Sequence, residues 1–75
     1  MDKIKLGIIG LGRLGRKHAE NIHYKIQNAE LTAVCSMVEE ELKSVADEMG
    51  PRYSTKDFTE IIENDDLDAV VIASS

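Results

Sequence analysis

The sequence predicts an α/β fold, in which a parallel β-sheet is covered by helices on both faces. Short apolar runs alternate with segments whose apolar residues recur every three or four positions, the patterns of buried strands and amphipathic helices. The links between these segments are short, which favours parallel strands joined by right-handed crossovers. We therefore expect the order β-α-β-α-β-α-β, with the strands side by side in the order 3-2-1-4.

The first strand and the first helix are predicted over residues 3–9 and 13–26. The strand is almost continuously apolar, as expected for a strand in the middle of a sheet that is covered on both faces. In the helix, apolar and small residues follow one side while charged residues occupy the other. The residues expected to face the sheet are Leu14, Gly15, His18, Ala19, Ile22 and Ile26.

The next strand and helix are predicted over residues 30–36 and from about Glu39 onward. Three glutamates at positions 39–41 suit the first turn of a helix, because negative charge there interacts favourably with the helix dipole. Gly50, followed by Pro51, is a typical helix stop. The buried stripe of this helix is expected to consist of Leu42, Val45, Ala46 and Met49.

A short third strand, a third helix and a fourth strand complete the prediction. The third strand is placed at residues 52–55 and the fourth at the apolar run 69–73. Between them, Asp57 and Glu60 have the spacing of a capping box at the start of a helix that ends near Asn64. The acidic stretch at residues 65–68 is interpreted as a solvated turn.

The glycine motif directly after the first strand predicts a binding site for a dinucleotide. Gly10, Gly12 and Gly15 form the pattern G-x-G-x-x-G between a strand and a helix, which is the context that the pattern requires. The first glycine permits a sharp turn, the second lets a pyrophosphate approach the backbone, and the third allows close packing of helix and strand. The alternative, a turn that binds nothing, is disfavoured because strand, glycines and helix are in register.

The end of the second predicted strand leaves the choice between NAD and NADP open. Ser36 stands about 20 residues beyond Gly15, where an acidic residue usually binds the adenosine ribose of NAD. Without that charge we expect tolerance of a 2′-phosphate, yet Met37 offers no cation to attract one. The glutamates at positions 39–41 are interpreted as helix-start charges rather than as ribose ligands.

Composition excludes several other classes of function. Fourteen acidic and nine basic residues give a net charge of −5 without any basic stripe, so nucleic acid is not an expected partner. Cys35 is the only cysteine, which excludes a disulfide or a multi-cysteine metal site within the chain and fits a reducing compartment. No apolar run approaches the roughly 20 residues of a membrane span. We expect a cytoplasmic protein that binds neither metal nor membrane.

Three segments also carry a resemblance to a known family: GIIGLGRLGRKHAEN at residues 7–21, LTAVC at 31–35 and LDAVVIASS at 67–75. At this spacing they resemble the start of the glucose–fructose oxidoreductase and inositol dehydrogenase family. Its members are NAD(P)-dependent oxidoreductases of sugars, inositols and related polyols, in which a Rossmann-type cofactor domain precedes an open-faced sheet domain. The resemblance therefore implies a Rossmann-type fold, NAD or NADP as cofactor, and a small polyol or sugar as substrate.

The resemblance assigns cofactor-binding residues but no catalytic ones. Arg13 and Leu14 are expected to offer backbone N–H groups, Arg13 also a guanidinium, and Ser74 is expected to border the nicotinamide. The family's catalytic Glu-Lys-Pro and Asp-x-x-x-His motifs do not occur in these residues. His18 is interpreted as a packed histidine rather than a ligand. The candidate cofactor-binding residues are Gly10, Gly12, Arg13, Leu14, Gly15, Ser36, Met37 and Ser74.

With 75 residues, the chain is about half as long as a complete dinucleotide-binding domain. We expect residues 1–75 to be the incomplete N-terminal part of that domain in a longer, homo-oligomeric dehydrogenase, and to be inactive alone. The alternative is a non-catalytic nucleotide-binding or redox-sensing module on the same fold. A reading frame that continues into a Glu-Lys-Pro segment and a second domain would distinguish the two.

Overall fold

Strands and helices alternate along the chain in the predicted order. The computed structural model describes residues 3–73. The predicted element bounds differ from those of the structure by one or two residues. The strands are β1 (Ile4–Ile9), β2 (Ala29–Cys35), β3 (Tyr53–Thr55) and β4 (Ala69–Ile72), and the helices are α1 (Arg13–Tyr24), α2 (Glu39–Met49) and α3 (Phe58–Ile62).

The four strands form one parallel sheet in the order β3-β2-β1-β4, which confirms the predicted order. β1 lies between β2 and β4, so that Ile8 is opposite Val34 on one side and Val71 on the other. The pairing of β1 with β2 shifts between Leu6 and Gly7, where β2 carries one extra residue, Thr32. Because all strands are parallel, the carboxyl ends of β1, β2 and β4 meet at one edge of the sheet.

Helices cover both faces of the sheet, as predicted. On one face, α1 and α2 pack over a core that includes Ile8, Val34 and Val45, each fully buried. On the other face, Ile61 of α3 packs with Ala33 and Cys35. Neighbouring residues such as Val34 and Cys35 contribute to opposite cores, as in any strand, and the extra residue in β2 lets Leu31 and Val34, three positions apart, contribute to the same core.

Two residues of the predicted helix face are exposed, and a third, His18, is half-buried. Gly15, Ala19 and Ile22 face the sheet as expected, but Leu14 is 50% exposed and Ile26 is 48% exposed. The prediction for Leu14 is wrong because the helix approaches the sheet through Gly15, one position around the helix. The prediction for Ile26 is wrong because α1 ends at Tyr24, which places Ile26 in the following turn.

The helix ends follow the predicted signals in part. Gly50 ends α2 in the left-handed conformation, with φ of 60°, and donates its N–H to Ala46 O at 3.0 Å. Asp57 caps α3 by accepting the N–H of Thr59 at 3.0 Å. The predicted capping box is incomplete, because the N–H of Asp57 donates to Thr55 Oγ1 instead of the Glu60 side chain. None of the helices within residues 3–73 has the length and apolar character needed to cross a membrane.

Candidate functional site

The turn after β1 brings three backbone segments into contact at the carboxyl edge of the sheet. Gly10 adopts a φ of 97° and donates its N–H to Cys35 O at 2.8 Å. The N–H of Ala73 donates to Ile9 O at 2.9 Å. A Cβ on Gly10 would lie 2.2 Å from Ala73 O. Both the positive φ and the close approach therefore require glycine at this position.

Gly15 allows α1 to begin directly against this turn. A Cβ on Gly15 would lie 1.8 Å from Gly10 O, a distance that no side chain could tolerate. The sequence predicts this glycine as a point of close packing between helix and strand. In the structure, the close approach is to the carbonyl of Gly10, the first residue after β1. The start of α1 is thereby held over the end of β1.

The N-terminus of α1 carries no negative charge of its own. Gly12 is the N-cap residue, with φ of −65° and ψ of −168°, and no side chain caps the helix. The first turn of α1 contains no acidic residue. The N–H groups of Arg13, Leu14 and Gly15 have no carbonyl partner within the helix, because such partners would precede its start. These N–H groups and the helix dipole favour an anion at this position.

A cleft of about 390 Å³ adjoins the turn and lies between the ends of β1, β2 and β4. It brings together four of the predicted cofactor-binding residues from two separate parts of the chain. It also contains four residues that the sequence did not single out. The cleft is lined by the predicted residues Gly10, Gly12, Ser36 and Met37 and by Leu11, Val38, Glu41 and Ala73.

A second cleft of about 300 Å³ lies beside the first, between α1 and α2. It shares Leu11, Gly12 and Glu41 with the first cleft and adds Arg13, Arg16, Glu40 and Ser44. Arg16 donates to Ser44 Oγ at 2.9 Å and pairs with Glu20 and Glu48, which links the two helices.

Not every predicted residue lines these clefts. The side chain of Leu14 is exposed, and Gly15 packs against the carbonyl of Gly10 instead of lining a cleft. Ser74, predicted to border the nicotinamide, lies outside the residues that the structure describes. A third cavity, of about 420 Å³, lies at the opposite edge of the sheet, beside Lys3 and His23, and contains none of the predicted residues.

Ser36 is held in place by the start of α2. Its side chain is buried, with the residue only 4% exposed. Ser36 Oγ accepts the N–H of Val38 at 3.0 Å and donates to Glu41 Oε1 at 3.1 Å, which is nearer than its second acceptor, Val38 O, at 3.3 Å. The sequence pattern does not reveal this contact, although all three glutamates lie in the first turn of α2 as predicted. Nothing in the sequence separates Glu41 from Glu39 and Glu40, because all three lie in the same helical turn.

The remaining titratable residues near the site favour structural roles. Cys35 is buried, and burial, followed by the charges of Asp57 and Glu60, raises the pKa of its thiol. The thiol therefore remains protonated, and Cys35 packs as a small residue of the core. His18 is half-buried on α1 and lines neither of the clefts beside the glycine turn. Within residues 3–73 no three potential metal-ligating side chains come together.

Comparisons with known proteins agree with this geometry. The model of the oxidoreductase family with an NAD-binding Rossmann fold matches residues 4–75. Myo-inositol 2-dehydrogenase of Thermotoga maritima is 39% identical over 72 residues, which are 96% of this chain and 21% of that protein. The NAD⁺-dependent scyllo-inositol 2-dehydrogenase of Bacillus subtilis is 32% identical over 72 residues, again 96% of this chain and 21% of the relative.

The chain is also similar to solved structures of inositol dehydrogenases. Scyllo-inositol dehydrogenase from Lactobacillus casei, solved with bound NAD(H) and scyllo-inositol, superposes with a TM-score of 0.91 at 46% identity. The superposition covers 99% of this chain and 22% of that structure. The chain thus spans about one fifth of the length of the relatives that it matches. Its glycine turn, uncapped helix start and adjoining cleft fit the dinucleotide that this fold binds.

Proposed function

Because the chain belongs to the oxidoreductase family with an NAD-binding Rossmann fold, we propose that it forms the N-terminal cofactor-binding part of an NAD-dependent inositol or polyol dehydrogenase. One observation carries the proposal: the turn from Gly10 to Gly15 presents an uncapped helix start to a cleft at the carboxyl edge of the sheet. A pyrophosphate is the part of a dinucleotide that such a helix start binds.

The pyrophosphate would be held mainly by backbone groups. Gly12 leaves room for the phosphates, and the N–H groups of Arg13 and Leu14 would donate to their oxygens. The Arg13 side chain is exposed beside the second cleft, from which its guanidinium could reach a phosphate. Ser36 and Met37, at the other end of the first cleft, would lie beside the adenosine. Ser74 stays a predicted neighbour of the nicotinamide.

The reaction of the complete protein is inferred from the relatives. A bound NAD⁺ supplies a hydride acceptor for the oxidation of a secondary alcohol. The names of the relatives support an inositol as the alcohol. They also favour an enzyme over a non-catalytic or redox-sensing module. Catalytic residues would lie in the rest of the protein; a homo-oligomeric state and a cytoplasmic location stay predictions.

Substitution of Gly12 by valine tests the proposal on the complete protein. The backbone of Gly12 has a φ of −65° and lies in an extended conformation that any residue can adopt, so the variant is expected to fold. Its side chain would occupy the space of the pyrophosphate. We expect calorimetric titration to show binding of NAD⁺ to the wild-type protein and at least about 100-fold weaker binding to Gly12→Val.

The same preparations should be assayed for oxidation of myo- and scyllo-inositol. Circular dichroism and the melting temperature of Gly12→Val serve as controls for folding. Unchanged affinity for NAD⁺ in a folded variant would contradict the placement of the pyrophosphate. A wild-type protein that binds NAD⁺ but oxidises no polyol would favour the non-catalytic alternative.

A further inference from the structure

Glu41 brings a carboxylate to the place where the end of β2 offers only a hydroxyl. In dinucleotide-binding folds, an acidic residue at the end of this strand commonly binds the adenosine ribose. Here that position is Ser36, whose Oγ donates to Glu41 Oε1 at 3.1 Å. An aspartate at position 36 would extend its carboxylate beyond the position of Oγ. The carboxylate of Glu41, one hydrogen bond away from Oγ, therefore lies close to where that of an aspartate would be.

The rest of the hydrogen bonding keeps this pair in position. Ser36 is almost fully buried, and its Oγ also accepts the N–H of Val38 at 3.0 Å. Glu41 is half-buried in the first turn of α2, so its side chain is constrained more than that of an exposed glutamate. The orientation of the carboxylate toward the cleft is thus set jointly by β2 and α2.

The cleft beside Ser36 is lined by negative charge and not by positive charge among the described residues. Among the residues that the structure describes, Glu41 is the only charged residue that lines the cleft containing Ser36. Arg13 and Arg16 line only the neighbouring cleft, which Glu41 also borders, and Arg16 is paired with Glu20 and Glu48. A 2′-phosphate beside Ser36 would therefore meet a carboxylate without a facing cation.

From this arrangement we propose that Glu41 selects NAD over NADP. The inference rests on the proposed function and deepens it. The hydroxyl groups of the adenosine ribose donate hydrogen bonds to the carboxylate, whereas a 2′-phosphate is repelled by it. Glu41 thus performs from α2 the task that an acidic residue at the end of β2 performs in other dinucleotide-binding domains. The tolerance of NADP that Ser36 alone predicts is lost.

The test compares two variants that remove the same charge from the same helical turn. Glu41→Gln keeps a hydrogen-bonding partner for Ser36 and removes the negative charge from the cleft. Glu39→Gln is the matched control, because Glu39 is largely exposed, pairs with Lys56 and does not line the cleft. The dissociation constants of NAD⁺ and NADP⁺ should be measured by calorimetry on the complete protein and on both variants.

We expect the wild-type protein to bind NAD⁺ more tightly than NADP⁺. In Glu41→Gln the ratio of the NADP⁺ to the NAD⁺ dissociation constant should fall about tenfold, and in Glu39→Gln by less than about twofold. An equal ratio change in the two variants, or equal affinities in the wild type, would overturn this inference while leaving the proposed function intact. A wild-type protein that binds neither nucleotide would overturn both.

Discussion

Gly10 and Gly15 each allow a close backbone contact at the turn after β1. Gly10 turns the chain with a positive φ beside the carbonyl of Ala73, and Gly15 packs against the carbonyl of Gly10 itself. Either side chain would push apart the end of β1, the start of α1 or the residue after β4. The position of the uncapped helix start therefore depends on both glycines.

Substitution of Gly15 by alanine should be far more costly than the same substitution at Gly50. The new Cβ at position 15 would overlap the Gly10 carbonyl, so we expect a loss of about 3 kcal/mol or more in the free energy of unfolding. Gly50 also has a positive φ but has open space around its Cβ position, so Gly50→Ala should cost only about 1 kcal/mol. Denaturant titration of both variants measures the difference. Equal losses would show that the contact at Gly15 is relaxed in solution.

At the same scale, the sequence identified half of the residues that line the cleft but not its charged residue. The glycines and Ser36 follow a spacing with a direct physical meaning, so they could be placed before the structure was known. Glu41 could not be assigned in the same way, because three successive glutamates at a helix start are equivalent in their interaction with the dipole. In the structure, the hydrogen bond from Ser36 and the position beside the cleft distinguish Glu41 from its neighbours.

Among the elements, α3 depends on few contacts because it is only five residues long. Ile61 is its one buried residue and packs against Ala33 and Cys35 of β2. Its first turn is held by Asp57, which accepts hydrogen bonds from the hydroxyl and the N–H of Thr59. A single buried apolar side chain thus anchors α3 to the sheet, and the cap holds only the first turn of the helix.

Truncation of Ile61 to alanine should therefore destabilise the protein much more than truncation of its neighbour. Ile61 is fully buried, and removal of its outer carbons should cost about 2–4 kcal/mol. Ile62 is largely exposed, so Ile62→Ala should change the free energy of unfolding by about 0.5 kcal/mol or less. Denaturant titration of the two variants checks this. Similar effects at both positions would contradict the burial of α3 through Ile61.

Asp57 should make the stability of this region sensitive to acid. The hydrogen bond from the Thr59 hydroxyl, and then that from the Thr59 N–H, lowers the pKa of the Asp57 carboxyl below its ordinary value. The contribution of this group is therefore present above the unfolded pKa and lost as the pH falls through the lower folded pKa.

Replacement of Asp57 by asparagine keeps a capping side chain but removes its titration. Between neutral pH and below about pH 4, the melting temperature of Asp57→Asn should fall less steeply with decreasing pH than that of the wild type. Parallel curves for the two proteins would mean that the cap contributes nothing to the acid sensitivity.

The boundaries of the elements were less predictable than their existence. The end of α1 at Tyr24 depends on local hydrogen bonds, such as that from Lys25 N–H to Asn21 O, which apolar periodicity does not reveal. The extra residue Thr32 in β2 also has no signature, because β2 is buried on both faces and shows no alternation. Periodicity predicts which face a residue occupies only where one face is exposed.

For the molecule as a whole, the sheet order could be predicted because it follows from general rules. Right-handed crossovers and short links leave few arrangements for four parallel strands. Among residues 3–73 β4 forms one edge of the sheet, because it pairs with β1 alone, just as β3 at the other edge pairs with β2 alone. Ile72 on β4 is 76% exposed, which leaves an apolar residue beside free backbone N–H and C=O groups.

Residues 1–75 produced alone should therefore self-associate. A short apolar edge strand without a proline or an inward charge is a template for pairing with another chain. Sedimentation velocity should show oligomers at micromolar concentration, and Ile72→Lys should shift the distribution toward the monomer. A soluble wild-type monomer with a cooperative melting transition would contradict this expectation. No dehydrogenase activity is expected of this piece alone.

The most direct test of the account is a crystal structure of the complete protein with NAD⁺. It should show the pyrophosphate oxygens within hydrogen-bonding distance of the N–H groups of Arg13 and Leu14, with Gly12 in contact with the phosphates. The adenosine ribose should lie in the cleft beside Ser36 and Glu41. A pyrophosphate bound away from the start of α1, with the glycine turn in the conformation described above, would contradict the central claim.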